Sequence, residues 1–468
     1  MAQQQRPLFG LLPTLGDLEQ SWDEITDIAL DRRVRLAVTG LRHSGKTVFI
    51  SALAHHLLDG RHLAFLKVAH EGRYIGAKLL PQGYRDPKPF PFARYVELLD
   101  SDPPAWPKAT DDLTGLTFRI RFRPSGFVAR QLSSMASLRL ELVDYPGEWL
   151  LDLPLLDTDF DGFARGALGL MDKPVRAPFA RPYLERLDTI DPGGPADPVL
   201  AAELAALFTD YLLACQRDGH LSLIQPGRFT MPGSLKGSQA LQFAPVPPGD
   251  NTRGSLRRLM ADRYTAYKRE VVYPFYEQHF SRFDRQIVLV DVMSALNEGP
   301  GVFDDTEIAL SAVLQSFNYG RSSLLSRLFS PKIDKLLFAA SKADHVSASQ
   351  HANLKILLGS MVARAARAAK FEGVDTDTLA LSAIRCTDTV KRDYQGQTLS
   401  YVRGRLKKDG SETVLYPGEI PPDMPEASDW QEGRFRFKAF APRPLSSEGG
   451  RHIRLDAALE FLIGDRLL

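Results

Sequence analysis

Cysteine is almost absent from this chain. Only Cys215 and Cys386 occur in 468 residues, too few for a disulfide framework or a cysteine metal site. Both fit a reducing compartment, as small buried residues. Net charge is lacking too: 58 Lys and Arg face 57 Asp and Glu, a balance of +1. That excludes recruitment by bulk positive charge, as in many nucleic-acid binders. No uncharged apolar run approaches the roughly 18 residues needed to span a bilayer; the longest, 308–320, is broken by Ser311, Gln315, Ser316 and Asn318. The first residues show no basic-then-apolar leader, and no repeat recurs at a fixed period. A cytoplasmic protein with no membrane span of its own and no nucleic-acid partner is expected. Charged residues at 25% and hydrophobic ones at 44% are ordinary for a globular chain, and the length suits roughly two to four domains.

Residues 1–16, with three consecutive Gln, read as a loose tail, and 17–33 as a polar helix. A β-rich run follows at 34–39, then a glycine-rich turn, then a helical pattern over 47–58 closed by Asp59-Gly60. Further strand candidates are 116–122, 138–143, 286–290, 335–340 and 378–384. The first two alternate: Leu116, Phe118, Ile120 and Phe122 on one side, and Leu138, Leu140 and Leu142 against Arg139 and Glu141. The others approach continuous apolar runs, as in parallel strands covered on both faces. An Ala-rich helix at 352–371 separates the last two. Strands alternating with helices predict a doubly wound α/β sheet. Residues 1–150 and 281–390 are read as the core, closed by an amphipathic helix at 453–468. Residues 151–280 read as a large, mostly helical insertion, and 391–452 as a smaller one with one strand-like run at 435–440.

Gly40-Leu41-Arg42-His43-Ser44-Gly45-Lys46-Thr47 matches G-x-x-x-x-G-K-[ST] without a mismatch. Gly40 and Gly45 permit a backbone curl whose N–H groups turn inward onto phosphate oxygens. The loop residues Arg42, His43 and Ser44 and the first-turn residue Val48 add contacts. Lys46 places a point charge on the β- and γ-phosphates, Thr47 offers a hydroxyl to Mg²⁺, and the helix dipole adds its positive end.

Asp144-Tyr145-Pro146-Gly147 follows the strand candidate 138–143 and matches D-x-x-G, an Mg²⁺-holding Asp and a γ-phosphate-sensing Gly N–H. Asp291 rivals Asp144 at another strand end, but only Asp144 has the glycine three residues on; otherwise Asp291 reads as a helix cap. Ser341-Lys342-Ala343-Asp344 ends the run 335–340 and fits [NTS]-K-x-D. Its carboxylate can accept from both N1–H and N2–H₂ of guanine, a pair adenine does not offer; the lysine stem can lie along the ring. Ser382-Ala383-Ile384 follows, where a backbone N–H would meet guanine O6. Four motifs in this order, at the C-terminal ends of successive strands, predict a P-loop NTPase of the G-domain type. The ten histidines hold no H-E-x-x-H, no G-x-S-x-G occurs, and the basic run 403–408 reads as a solvated turn.

At these residues the chain resembles the YcjX-like family of bacterial P-loop NTPases. The resemblance runs through Asp102-Pro103-Pro104-Ala105-Trp106-Pro107, Asp144-Tyr145-Pro146-Gly147-Glu148-Trp149-Leu150-Leu151-Asp152-Leu153-Pro154 and Ile224-Gln225-Pro226-Gly227-Arg228-Phe229, and on through Ala340-Ser341-Lys342-Ala343-Asp344-His345 to His452-Ile453-Arg454-Leu455-Asp456. It implies a stress-inducible, GTP- or GDP-binding protein that hydrolyses GTP with Mg²⁺, with a small stress-related inner-membrane protein as a partner. It carries the base loop over to Ser341–His345. Residues 105–110 precede the second strand, where a small GTPase has its first switch. Trp106 and Thr110 are therefore nucleotide-side candidates, with Thr110 as the Mg²⁺-sensing threonine and Thr114 as the alternative. Ras-like enzymes place a Gln after the D-x-x-G glycine to orient the attacking water; here it is Glu148. A carboxylate repels the γ-phosphate, with Arg42 available to offset it, so slow turnover is expected. If Gly147 senses the γ-phosphate, residues 148–154 should shift with it and reposition the insertion. An ATPase using the same loop, or a nucleotide-gated binding module without catalysis, remain the alternatives.

Overall fold

The apolar runs assemble into one sheet. The structure, a computed structural model, describes residues 32–41, 43–83, 87–108, 112–125, 134–318, 333–431, 433–447 and 451–468. The expected tail and the body of the polar helix, Arg42 and Thr110 lie outside the described residues. The strands are β1 (Arg33–Gly40), β2 (Tyr74–Leu80), β3 (Lys88–Pro89), β4 (Thr114–Phe122), β5 (Ala136–Asp144), β6 (Arg285–Val290), β7 (Lys335–Ala340) and β8 (Asp375–Ala380). Their order is β2-β4-β5-β1-β6-β7-β8, with β3 alongside β4. From β5 to β8 every neighbour is parallel; β4 and β2 extend the edge antiparallel. All five parallel strands thus end on one side. The expected strand 378–384 is shifted: its pairing with β7 runs from Lys335↔Asp375 to Ala340↔Ala380, which leaves Ser382–Ile384 in the loop beyond.

Alternation along each strand divides the core in two. Leu36, Val38, Leu116, Phe118, Ile120, Leu138, Leu140, Leu142, Ile287 and Leu289 share a cluster with α1 (Lys46–Asp59) and the C-terminal α6 (Leu455–Ile463). Ala37, Val143, Val288, Val290, Leu336 and Phe338 face the other way. There they meet α4 (Pro300–Asn318), α5 (His351–Phe371) and the helical insertion, including α2 (Pro198–Arg217) and α3 (Leu256–Tyr267). The insertion is pinned to α4 by a buried pair, Arg176 Nη2 to Asp305 at 2.5 Å, and Asp305 also accepts from the N–H groups of Ser222 and Leu223. By length and composition α2 is apolar enough to cross a membrane, although Glu203 and Asp210 interrupt it. Its Ala201, Leu204, Phe208, Leu212 and Cys215 are buried inside the insertion. Cys215 and Cys386 are both free and buried.

The second insertion differs from expectation. It contains a three-stranded antiparallel sheet of β9 (Thr387–Tyr394), β10 (Gln397–Arg405) and β11 (Glu412–Leu415), and β9 starts inside the stretch assigned to the core. The basic run 403–408 contributes the end of β10 before it turns. Residues 435–440 form no strand beyond a single bridge, Phe440 to Leu406. The hairpin turns on Gln395 and Gly396, both with positive φ (50° and 77°), as a two-residue turn requires.

Candidate functional site

β1 delivers Gly40 to the crevice and α1 begins at Lys46. Between them the chain curls: Leu41 N–H donates to Leu289 O (3.3 Å), Ser44 N–H to Leu41 O (3.2 Å) and Phe49 N–H to Gly45 O (2.9 Å). A Cβ on Gly40 would lie 2.4 Å from Ser44 Oγ and 2.5 Å from Leu289 O, so only glycine fits; Gly45 needs its left-handed φ of 85°. The first-turn N–H groups of Lys46, Thr47 and Val48 lack intrahelical acceptors, as at any helix start. The Lys46 ammonium lies 3.3 Å from the Gly40 carbonyl, across the mouth of the loop. Ser44 Oγ is buried and has no partner among the described residues. Backbone donors, a dipole and one ammonium around a spare hydroxyl make a cradle for phosphate oxygens.

Asp144 ends β5, level with Val38 of β1 and Thr114 of β4. Asp144 and Thr114 therefore sit on the α1 side of the sheet, with Leu142 and Leu116. Thr114 Oγ1 is buried with no partner among the described residues. Thr47, Asp144 and Thr114 offer two hydroxyls and one carboxylate, a hard-oxygen set of the kind Mg²⁺ accepts, since Mg²⁺ takes its other ligands from water and phosphate. Gly147 then packs on the phosphate loop itself: a Cβ there would stand 2.3 Å from Gly40 O. Two motifs 107 residues apart in number meet backbone to backbone.

Residues Gly147–Asp157 form a 3₁₀ helix in which Trp149, Leu150, Leu151 and Leu153 are core. The reason is apolar density: the run meets the insertion on one side and the sheet on the other, and Trp149 packs edge-on to Phe275 while its Nε1 donates to Met231 O (3.2 Å). Glu148 is buried, its carboxylate accepting from Gln216 Nε2 of α2 (3.1 Å). Asp152 is buried too and accepts from Gly227 N–H (2.7 Å), Arg228 N–H (3.3 Å) and Tyr267 Oη (2.6 Å). Burial pushes its carboxyl up to about 6, against the pull of the Tyr267 and Gly227 donors.

The base loop forms at the ends of β7 and β8. Asp344 is almost wholly buried; Oδ1 accepts from Ser382 Oγ (2.6 Å) and Oδ2 from Cys386 N–H (2.7 Å). A carboxylate has about four lone-pair sites, so each oxygen keeps capacity for an outside donor. Lys342 stands in the left-handed region (φ 60°), and its ammonium pairs with Asp291. Asp291 also caps a helix by accepting from Ser294 N–H (3.1 Å) and Oγ (2.6 Å). Burial alone would raise its carboxyl, yet Lys342 and Ser294 hold it below the usual range. Asp291 is thus engaged by Lys342 and by the helix start it caps. Ala343 N–H donates to Leu381 O (3.0 Å), which joins the loop to the segment carrying Ser382, Ala383 and Ile384. His345, also buried, packs edge-on to Phe440 (5.2 Å), and Trp106 Nε1 donates to Phe440 O (3.1 Å). Trp106 and the base loop are therefore brought together by the small insertion.

Sequence reasoning missed Gln216, Tyr267, Phe440, the Lys342–Asp291 pair and the roles of Asp152 and Arg228. The strings Asp152-Leu153-Pro154 and Gly227-Arg228-Phe229 were visible as family motifs, but nothing in either says that one clamps the other. A separate small cleft opens on the insertion face, lined by Arg35, Thr117, Glu141, His279 and Arg282 among others. None of the motif residues lines it, and its Glu141 is taken by Arg33, Arg35 and Arg139 at 2.7–2.9 Å.

The model of the YcjX-like family, DUF463, matches residues 34–467. The chain is 42% identical over 464 residues to a protein of Escherichia coli (strain K12) named Ras-like GTPase YcjX, covering 96% of this chain and 99% of that one. A Shewanella oneidensis protein of the same name is 35% identical over 479 residues, covering 97% and 99%.

Proposed function

The chain belongs to the YcjX-like family, and from that premise we propose that it binds guanine nucleotides and hydrolyses GTP to GDP and phosphate with Mg²⁺, slowly, as a nucleotide-dependent switch. The observation that carries the base choice is Asp344. Its carboxylate is oriented by Ser382 and Cys386 at the end of the same crevice that holds the phosphate loop, and a fixed carboxylate selects a base with two adjacent donors. Lys46 and the first-turn N–H groups hold the β- and γ-phosphates. Gly147 presents its N–H beside Gly40, where the γ-phosphate ends. Thr47, Asp144 and Thr114 would hold Mg²⁺, which when bound neutralises charge on the phosphate oxygens. Glu148 is the water-positioning candidate, and its engagement by Gln216 supports a low rate, because one carboxylate oxygen is already occupied. The family resemblance supports a stress-response setting and an inner-membrane partner protein.

The test is to measure GTP, GDP and ATP affinities side by side with Mg²⁺, then phosphate release in a single turnover. GTP bound at least a hundredfold more tightly than ATP, with slow phosphate release, is the expected result. Equal affinities overturn the guanine assignment, and tight binding without release leaves a binding module.

A further inference from the structure

Arg228 stands on the short helix Gly227–Thr230 of the helical insertion, packed against the segment after Gly147. Its guanidinium lies over the Trp149 ring, 3.2 Å from the centroid. The backbone beneath is clamped by Asp152, which accepts from the N–H groups of both Gly227 and Arg228. Gly227 itself presses on Glu148: a Cβ there would lie 2.0 Å from the Glu148 carbonyl oxygen. Gly147, one residue earlier, presses in the same way on Gly40. The backbone thus runs in contact from the phosphate loop to Gly147-Glu148 and on to Gly227-Arg228. Tyr267, Asp152 and, at the foot of β4, Asp112 are near enough to the guanidinium to act on its charge.

Among the described residues no hydrogen bond or ion pair holds the guanidinium itself. A half-buried guanidinium is costly to leave unsatisfied. Stacking on an indole satisfies its face and leaves the N–H edge free for a planar, doubly negative acceptor. The short helix is therefore braced while the side chain keeps its donors, an arrangement suited to binding an outside anion rather than to supporting the fold.

We propose that Arg228 is a catalytic residue supplied in cis by the helical insertion, donating its guanidinium edge to the γ-phosphate of bound GTP. This rests on the GTP reading above. In the step it serves, a water oxygen attacks the γ-phosphorus, and the bond from that phosphorus to the β–γ bridging oxygen breaks. The electron pair stays on GDP and the water's proton passes to the released phosphate. Arg228 moves no proton; it stabilises negative charge on the transferring group. Arginines so placed are worth roughly 10³–10⁵ in rate in other nucleotide hydrolases. The proposal also gives the insertion a chemical role, since a residue 81 positions beyond Gly147 completes the site.

The experiment compares the full chain with Arg228→Gln, which keeps a stem over Trp149, and Arg228→Lys, which keeps the charge without the planar fork. Three readouts are needed: fluorescent GDP affinity, the further melting shift when aluminium fluoride is added to the Mg²⁺–GDP complex, and single-turnover phosphate release. Both variants should bind GDP within about threefold of wild type. Both should lose at least a hundredfold in phosphate release, and Arg228→Gln should lose the additional aluminium fluoride shift. Added guanidinium ion should restore part of the rate to Arg228→Gln, which a purely structural role would not allow. Wild-type release and an intact aluminium fluoride shift in Arg228→Gln overturn the proposal while leaving GTP binding standing. A wild-type protein that binds no GTP overturns the earlier reading instead. A variant that loses GDP affinity and melting temperature together, with no guanidinium rescue, assigns Arg228 to structure and overturns the proposal.

Discussion

The two insertions reach the same crevice at opposite ends and by different means. The helical one meets the phosphate end through the main core: Trp149, Leu150, Leu151 and Leu153 belong to one continuous cluster with Phe229, Phe243 and Tyr267. The small β insertion meets the base end through the other cluster, to which Val402, Phe440 and Leu445 belong, and through single polar and aromatic contacts. Phe440 touches His345, Trp106 donates to the Phe440 carbonyl, and Arg443 pairs with Asp388 at 2.7 Å. Close-packed interiors resist displacement, whereas an aromatic edge, a hydrogen bond and a half-exposed ion pair are each worth about 1 kcal/mol or less. The phosphate end is thus joined through one aromatic-rich cluster, while the base end adds single polar and ring contacts to its packing.

Substitutions at the two ends can break this contrast. The largest effect is expected from Lys46→Ala, which removes the ammonium from the phosphates while leaving the fold intact, since the residue is a loop-mouth donor. Losing hydrogen bonds to a charged group should cost about 3–4 kcal/mol, several hundredfold in both GTP and GDP affinity. Thermal melting with and without Mg²⁺–GTP reads it, and an unchanged ligand shift refutes the loop assignment.

Asp152 probes the phosphate end. Its folded value of about 6 lies above the unfolded 3.8, so the protonated form is favoured in the native state. Its contribution to stability is complete below pH 3.8 and is lost as pH rises to about 6. The stability of wild type minus that of Asp152→Asn should fall by about 2 kcal/mol between pH 4 and pH 6 and level off above pH 7, as denaturant titrations across that range would show. A difference that does not vary with pH means the carboxylate is ionised throughout, and the clamp on Gly227 is electrostatic.

Asp344→Asn should act on base choice alone. Losing two guanine donors costs roughly 2–3 kcal/mol, about 30–150-fold in GTP affinity, while XTP gains relative to GTP because the amide offers donors of its own. An unchanged GTP, ATP and XTP ranking removes guanine from the assignment. The smallest effect belongs to Trp106→Ala. It deletes the hydrogen bond to Phe440 O at the base end, worth about 1 kcal/mol or about fivefold in GTP affinity, with phosphate release unchanged. A loss as large as that of Lys46→Ala would mean that the two ends do not differ in this way.

What was legible in the sequence was local. β1 and β4 to β7 were visible because each apolar run is continuous or alternates strictly, and burial agrees with the alternation: Leu116, Phe118, Ile120 and Phe122 share one cluster. The four motifs were visible because each lies on one contiguous turn at a strand end. The small sheet was hidden by its composition. Its strands carry few apolar residues, and Gln395-Gly396 is a weaker hairpin signal than Asn-Gly. The rest of the site is held by contacts distant in sequence: Gln216 to Glu148 spans 68 residues and Gly227 to Asp152 spans 75. No periodicity encodes such pairs. The enclosure of Trp149 was hidden for the same reason, since only its tertiary neighbours reveal it.

The three backbones of Gly40, Gly147-Glu148 and Gly227 touch with no side chain between them, since a Cβ at any of the glycines would lie 2.0–2.5 Å from a neighbouring carbonyl oxygen. Side chains are the compliant parts of a protein; they rotate and absorb small displacements before these reach the chain behind. Here that cushion is missing, and the contact behaves as a strut loaded end to end. A shift of a few tenths of an ångström at the first carbonyl must reappear at Gly227 with little loss.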